Sequence, residues 1–311
     1  MGYFLDTLID SSMPMCVTAL VTMAITLIFK TSFTTNFAQG VISAFGAYVA
    51  STLFAKMGMP VYVAVPISVI ASMAIAVLVD VVLFRKGRYV NAIGKQIITM
   101  GLISVIVSVI PLIFTDLSYQ AINFISGNFT FYVGDYNVTF SKNALVGIII
   151  TVIVLTLLFV LLRYSKWGLS VRATASNEYV AGMMGVNTHV VTAVSWGIAG
   201  ALGALAACLN SAGNAEIGVY FMTEYQVTAF LAGIVGGFAT FHGPVIVALC
   251  IPLMTNLISW FGNGVVASIT GDMQLGASIA NWSTTIIYVI ALIIIFFKPN
   301  GIFGKKVEKK V

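Results

Sequence analysis

Long apolar runs alternate with short polar breaks along this chain. A helix needs about 20 apolar residues to cross the hydrocarbon of a bilayer. Runs that approach this length lie at 14–30, 36–56, 61–84, 93–115, 143–162, 190–211, 225–241, 243–262 and 282–297. The run 225–241 is short and Gly-rich, and Phe241-His242-Gly243-Pro244 predicts a tight turn behind it. A re-entrant or broken helix therefore fits around 225–262, because unwound backbone at membrane depth is tolerated where protein or a wet cavity surrounds it. The expected fold is an all-α polytopic membrane protein with about nine transmembrane or re-entrant helices, eight to ten being compatible with the pattern. No long polar stretch divides the chain, so residues 1–311 read as one transmembrane domain.

Composition agrees with that pattern. Of 311 residues, 59% are apolar and 8% charged, whereas a soluble domain carries about 25% charged residues. Disorder is excluded too, since disordered chains are poor in apolar residues. Cys16, Cys208 and Cys250 sit inside apolar runs without metal-ligand spacing. No GxxxxGK[ST] is present, which excludes ATP hydrolysis by a P-loop in this chain. His189 and His242 form no HExxH, and no cluster of His, Asp or Glu suggests catalysis or a metal. The basic residues are bound to loops and form no nucleic-acid stripe. The start, MGYFLDTLIDSSMP, lacks a basic n-region, so the first apolar run is expected to remain in the mature protein.

Charge then orients the spans. Arg85, Lys86, Arg88 and Lys95, then Arg163, Lys166 and Arg172, then Lys298, Lys305, Lys306, Lys309 and Lys310 fall on one side of a nine-span chain. By the positive-inside rule that side is the cytoplasm. The other side receives Asp6, Asp10, Asp116, Asp135, Glu216, Glu224 and Asp272, with Lys142 as the lone base at a membrane edge. The N-terminus is expected outside and the C-terminus inside.

The remaining polar stretches carry the candidate chemistry. Segment 163–189, RYSKWGLSVRATASNEYVAGMMGVNTH, is far longer than a turn requires. It reads either as a solvated loop or as a short docking helix over 170–183, with Glu178 its one acid and Gly182 and Gly185 its breakers. Ser195, Ala199, Gly203, Ala207 and Ser211 recur at every fourth position, a small-residue seam that suits close helix packing. Gly233 and Gly237 repeat the signal, and Gly236-Gly237 near Pro244 also suits a discontinuous helix. Asn36, Gln39, Gly40, Ser43, Gly46 and Tyr48 interrupt an apolar span. Buried polar groups cost free energy unless partnered, so this stretch is either a frayed helix start or the lining of a pathway. Candidate pathway residues are Asn36, Gln39, Gly40 and Ser43 from one broken span, and Thr228, Gly233, Gly236 and Gly237 from another. Asp80 lies just before Arg85 and reads as an interfacial, Arg-paired acid rather than a proton relay.

NFAQGVISAFGAYV (36–49), RYSKWGLSVRATASNEYVAGMMGVN (163–187), FLAGIVGGFATFHGPVIVAL (230–249) and KPNGIFG (298–304) occur in that order. Together they resemble the permease subunit of bacterial ABC importers for branched-chain amino acids, the LivH type. The resemblance covers nearly the whole chain, and 163–187 is its most specific part. It implies that 163–189 is a cytoplasmic coupling segment, with Arg172, Ala175, Ser176, Asn177, Glu178, Gly182 and Gly185 contacting an ATPase. Family members often carry an acidic pair after the Ala; here Ala175-Ser176-Asn177-Glu178 keeps one acid. It also implies a second homologous permease, two ABC ATPase subunits that use ATP and Mg, and an extracytoplasmic solute-binding protein. The chain itself would bind no cofactor, supply no catalytic residue and sit in the bacterial plasma (inner) membrane. Related permeases for urea or amides, sugars or nucleosides remain open, as does an autonomous secondary carrier or channel.

Overall fold

The computed structural model describes residues 2–87, 90–115, 118–133, 136–212, 216–270 and 272–304. Arg88, Asp116, Asp135, Lys305, Lys306, Lys309 and Lys310, used above for orientation, lie outside the described residues.

In chain order the elements begin with α1 (Gly2–Asp10), α2 (Ser12–Ser32), α3 (Gln39–Ala55) and α4 (Val61–Val79), which continues as a π-helical turn, Asp80–Phe84. Next come α5 (Ala92–Phe114), β1 (Ser118–Gln120), β2 (Asn128–Val133), β3 (Tyr136–Ser141) and α6 (Lys142–Tyr164). They are followed by α7 (Lys166–Ser176), α8 (Glu178–Met183), α9 (Thr188–Ser211), β4 (Glu216–Gly218) and α10 (Thr223–Gly236). The last are α11 (His242–Trp260) with a π-helical turn Phe261–Val266, α12 (Ala267–Thr270), α13 (Met273–Asn281) and α14 (Ser283–Phe297). Each predicted apolar run therefore carries a helix. By length and composition six described helical stretches can cross a membrane, or seven if the bent pair α13–α14 is one span. The helices α3 and α10 are shorter, at 17 and 14 residues.

The centre of the bundle is α2 and α9, packed on each other, with α3 and α4 against α9 and α10 and α11 against α2. The small-residue seam explains that centre. Ser195, Ala199, Gly203, Ala207 and Ser211 are all buried, and a Cβ on Gly203 would collide with Ser43 and Gln39 of α3. The backbones approach closely because side chains there are nearly absent. Around this centre the outer helices turn large apolar residues outward: Ile70 on α4, Leu112 on α5, Leu157 on α6 and Phe296 on α14 are exposed. In a bilayer those faces meet lipid, where apolar exposure costs nothing.

Two faces close the bundle. One carries α1, the antiparallel hairpin β2–β3, and a second pairing in which β1 joins β4 with Tyr119 opposite Ile217. Lys56 belongs to this hairpin face as well, donating to the Phe114 carbonyl (3.3 Å) at the C-terminal end of α5. Lys142 is therefore not its lone base, and Lys56 is used to complete a helix end. The opposite, basic face gathers Arg85, Lys95, Arg163, Lys166, Arg172 and Lys298 at the ends of α4, α5, α6, α7 and α14.

Helix breaks differ from the expected ones in three places. Phe241-His242-Gly243-Pro244 is not a turn: α11 begins at His242, and the gap lies at 237–241. Pro244 fits there because the first turn of a helix has no use for its missing N–H. The described residues of the connection 263–281 are mostly helical rather than a loop, and the chain bends by 53° between α13 and α14 at Trp282. Finally, the span over 36–56 becomes helical only at Gln39. Phe33, at φ 49°, ends α2, and 33–38 is unwound with Thr34, Asn36 and Ala38 buried.

Candidate functional site

A cavity of about 320 Å³ lies between α2, α10, α11 and α14. Ligand pockets commonly start near 300 Å³. Thr18 comes from α2, Glu224 and Thr228 from α10, Thr255, Asn256 and Ser259 from α11, and Ser283, Thr284 and Tyr288 from α14. The i,i+4 spacing of Glu224–Thr228 and Thr255–Ser259 puts each pair on one helix face. Pro14, Ile251 and Pro252 add apolar wall.

Hydrogen bonds order this lining. Thr228 Oγ1 donates to the Glu224 carbonyl at 3.0 Å and lies 2.9 Å from the Tyr288 hydroxyl. A threonine hydroxyl has one proton, so Tyr288 is the donor of the second bond. Ser259 Oγ reaches Ser283 Oγ at 2.9 Å, tying α11 to the α13–α14 break. Asn256 Nδ2 donates to Ser11 Oγ at 3.0 Å. Thr18 is 1% exposed, and its hydroxyl has no hydrogen-bond partner among the described residues. A second cavity of about 170 Å³, bounded by Thr7, Asp10, Trp260 and Asn263, shares Asn256 and Ser259 with the first. The polar volume thus continues to the hairpin face.

Of the sequence-expected pathway residues, Thr228 lines this cavity. Asn36, Gln39, Gly40 and Ser43 are buried in a hydrogen-bonded knot around the unwound segment. Asn36 Nδ2 donates to Gln39 Oε1 at 3.1 Å, and Asn36 Oδ1 accepts from the Ala38 amide at 3.0 Å. Gln39 Nε2 donates to the Ala199 carbonyl at 3.0 Å, Ser43 Oγ to the Gln39 carbonyl at 2.7 Å, and the Gly40 amide to Gln226 Oε1. The Ala38 and Gly40 amides, which the start of α3 leaves without an intrahelical acceptor, are satisfied in this way.

Gly233, Gly236 and Gly237 lie at the end of α10 on the basic face. Gly233 packs on the Phe238 ring and Gly236 on Gly243 and Pro244. Gly237 adopts φ 84° and lies against Asn300 and Gly304. The Ile302 amide donates to the Val235 carbonyl at 2.7 Å. Two motifs far apart in sequence, FLAGIVGG and KPNGIFG, thus form one seal.

The segment 163–189 is two helices rather than one over 170–183, because Asn177 adopts φ −160° and separates α7 from α8. Its side chain caps α8, Oδ1 accepting from the amides of Tyr179 (3.0 Å) and Val180 (3.1 Å). The helix ends with Gly185 at φ 85°, the Val186 amide bonding the Ala181 carbonyl and the Gly185 amide the Gly182 carbonyl. This is the Schellman arrangement, which needs a left-handed residue. Arg172 folds back onto the last carbonyls of α6, those of Leu162 and Arg163. Ala175 is half-buried, while Ser176 and Gly182 are exposed. Beyond them α8 and its end present Tyr179 (77% exposed) and Met184 (80%). Glu178 lines a small recess with Asp80, Arg85, Lys95, His189 and Thr192, where Thr192 Oγ1 donates to Asp80 Oδ2 at 3.4 Å.

Sequence reasoning did not select Thr18, Glu224, Thr255, Asn256, Ser259, Ser283 or Tyr288. Their signal was available as hydroxyl and amide residues at i,i+4 on helices otherwise read for hydrophobicity alone.

Comparison with known proteins places the chain. A family model for the branched-chain amino acid transport system permease component matches residues 8–297. The high-affinity branched-chain amino acid transport system permease protein BraD of Pseudomonas aeruginosa is 25% identical over 283 residues, covering 87% of this chain and 85% of the relative. The probable branched-chain amino acid transport permease protein LivH of Methanocaldococcus jannaschii is 25% identical over 284 residues, 88% and 84% of the two chains. LivH of Escherichia coli is 23% identical over 163 residues, 52% of this chain and 48% of the relative. Among solved structures, PsaBC from Streptococcus pneumoniae in complex with Fab shares the fold at TM-score 0.50 and 11% identity, covering 91% of this chain and 90% of that one.

Proposed function

This chain belongs to the branched-chain amino acid transport permease family, and from that premise we propose that it forms the membrane pathway of an ATP-driven importer for branched-chain amino acids. The match over residues 8–297 carries this reading. The protein is a multi-pass plasma-membrane protein whose residues 1–311 act as one permease domain of nine spans. The hairpin face lies outside with the N-terminus, and the basic face lies in the cytoplasm with the C-terminus. Arg85, Lys95, Arg163, Lys166, Arg172 and Lys298 on one face support that orientation.

In this reading a solute-binding protein delivers substrate to the hairpin face, and a second homologous permease completes the pathway. Two ATPase subunits hydrolyse ATP with Mg and dock on α7–α8. The exposed Tyr179 and Met184 beside Asn177, Glu178, Gly182 and Gly185 supply an apolar-and-acidic docking edge. Arg172, Ala175 and Ser176 support it from α7. The chain supplies no catalytic residue: nucleotide binding biases an equilibrium between inward- and outward-facing states, which requires a differential contact in the two states. Asn36, Gln39, Gly40 and Ser43 form the hinge side of the pathway, and Thr228, Gly233, Gly236 and Gly237 its moving wall.

Reconstitution tests the reading. The chain with its partner permease, ATPases and binding protein should take up radiolabelled L-leucine, L-isoleucine and L-valine in proteoliposomes only when ATP is supplied. Gradient-driven flux through this chain alone, without ATPases, would overturn it.

A further inference from the structure

The bend at Trp282 and the polar cavity are one feature. The first turn of α14, Ser283 and Thr284, forms part of the cavity wall, and Trp282 gives that turn no side-chain cap. The start of a helix carries a partial positive charge and N–H groups that need acceptors. Broken helices use such ends to hold anionic groups of a substrate at membrane depth. On α10 the same cavity carries a carboxylate, Glu224, and none of its lining residues is basic. The same cavity is lined by Thr18, whose buried hydroxyl has no partner among the described residues. Leaving such a group unpaired costs about 1–3 kcal/mol, which a ligand oxygen or nitrogen would recover.

We propose that this cavity is a binding compartment for one small zwitterionic α-amino acid. Its carboxylate sits at the first turn of α14, its ammonium group at Glu224, and a polar atom meets Thr18. Pro14, Ile251 and Pro252 supply the apolar wall for an uncharged side chain. The volume of about 320 Å³ holds one such molecule. Substrate enters from the hairpin face past Asn256 and Ser259, and the Tyr288–Thr228 pair closes the deep end. The proposal rests on the permease reading and adds to it a site within a single subunit.

The test uses the full chain in lipid nanodiscs and equilibrium binding of radiolabelled L-leucine. The competitors are 4-methylpentanoate, which lacks the amino group, and 3-methylbutylamine, which lacks the carboxylate. Each should compete at least about tenfold more weakly than L-leucine, the loss expected for one charge-assisted contact. Glu224→Gln should weaken L-leucine about tenfold and leave 4-methylpentanoate unchanged. Glu216→Gln, an exposed acid on the same face, should alter neither. Thr18→Val supplies a second arm, because replacing an unpaired buried hydroxyl by a methyl spares the fold while L-leucine binding falls. Wild-type affinity in both variants, equal competition by the two analogues, or no L-leucine binding by the wild-type chain would overturn the proposal. ATP-driven uptake by the assembled importer is read separately. Normal uptake with Glu224→Gln sinks this site and leaves the permease reading standing. L-leucine binding without ATP-driven uptake does the reverse.

Discussion

Tyr288 donates its hydroxyl proton to Thr228 Oγ1 across 2.9 Å, joining α14 to α10 at the deep end of the polar cavity. Thr228 in turn donates to the Glu224 carbonyl, so the three residues form one chain of bonds. Tyr288→Phe and Thr228→Val should therefore be non-additive. Polar contacts between membrane helices are worth about 0.6 kcal/mol on average, and a double-mutant cycle on unfolding in mixed micelles should return a coupling of about that size. Simple additivity would remove the bond from the account.

Gly203 is where α3 meets α9. Gly203→Val should destabilise the chain by about 1–3 kcal/mol, the usual range for overpacking a filled core, because any Cβ collides with Ser43 and Gln39. Gly101→Ala is the matched comparison, since a Cβ there meets open space. It should be neutral or slightly stabilising, as Ala exceeds Gly in helix propensity. Thermal melts of the two variants in detergent decide the point.

Gln39 holds the unwound segment through Asn36 and reaches across to the Ala199 carbonyl. Gln39→Leu leaves Asn36 Nδ2 without this partner, at a cost of about 1–3 kcal/mol, while the Ala199 carbonyl keeps its place in the α9 ladder. Hydrogen exchange should quicken at the amides of Ala38 and Gly40 before it quickens elsewhere. Unchanged protection there would show that the knot is dispensable.

Asn177 caps α8. Asn177→Ala should cost the helix about 1 kcal/mol, and Asn177→Asp should keep the cap. If α8 docks an ATPase, the Ala variant should lower uptake per ATP hydrolysed while membrane expression stays at the wild-type level, and the Asp variant should restore coupling. Equal coupling in all three proteins would detach this helix from energy transfer.

Gly237 combines φ 84° with close contact to Asn300 and Gly304. Gly237→Ala meets both strain and collision, so the seal between α10 and the 298–304 segment should open. Limited proteolysis after Lys298 should accelerate in membranes, and wild-type resistance would contradict the packing described.

The bundle was legible because hydrophobicity at helix length is set by the solvent: lipid demands it, and every apolar run became a helix. The seam at Gly203 was legible for the same reason, since close approach demands small residues at a fixed period. The site was legible in part. Asn36 and Gln39 stood out as polar, yet polarity alone does not tell a group that faces a cavity from one that repairs unwound backbone. Thr255 and Ser259 were overlooked because a hydroxyl can bond its own helix, as Thr255 does with the Ile251 carbonyl at 3.0 Å. Such residues leave little trace in a hydropathy pattern. The start of the last helix near 282 was legible from the apolar run 282–297, but the helix α13 in front of it, and with it the bend at Trp282, was not. Both α13 and α14 pack on α11, a tertiary arrangement that a hydropathy pattern does not carry.

The pairing of β1 with β4 has a mechanical meaning. It staples the chain shut around α6, α7, α8 and α9, making that stretch a lasso pinned at the hairpin face. If an ATPase pushes on α7–α8 on the far side, the pinned loop ends leave the push less room to dissipate. Force applied there would reach α6 and α9 as levers about a fulcrum, and α9 is the pillar against which α2, α3 and α4 lean.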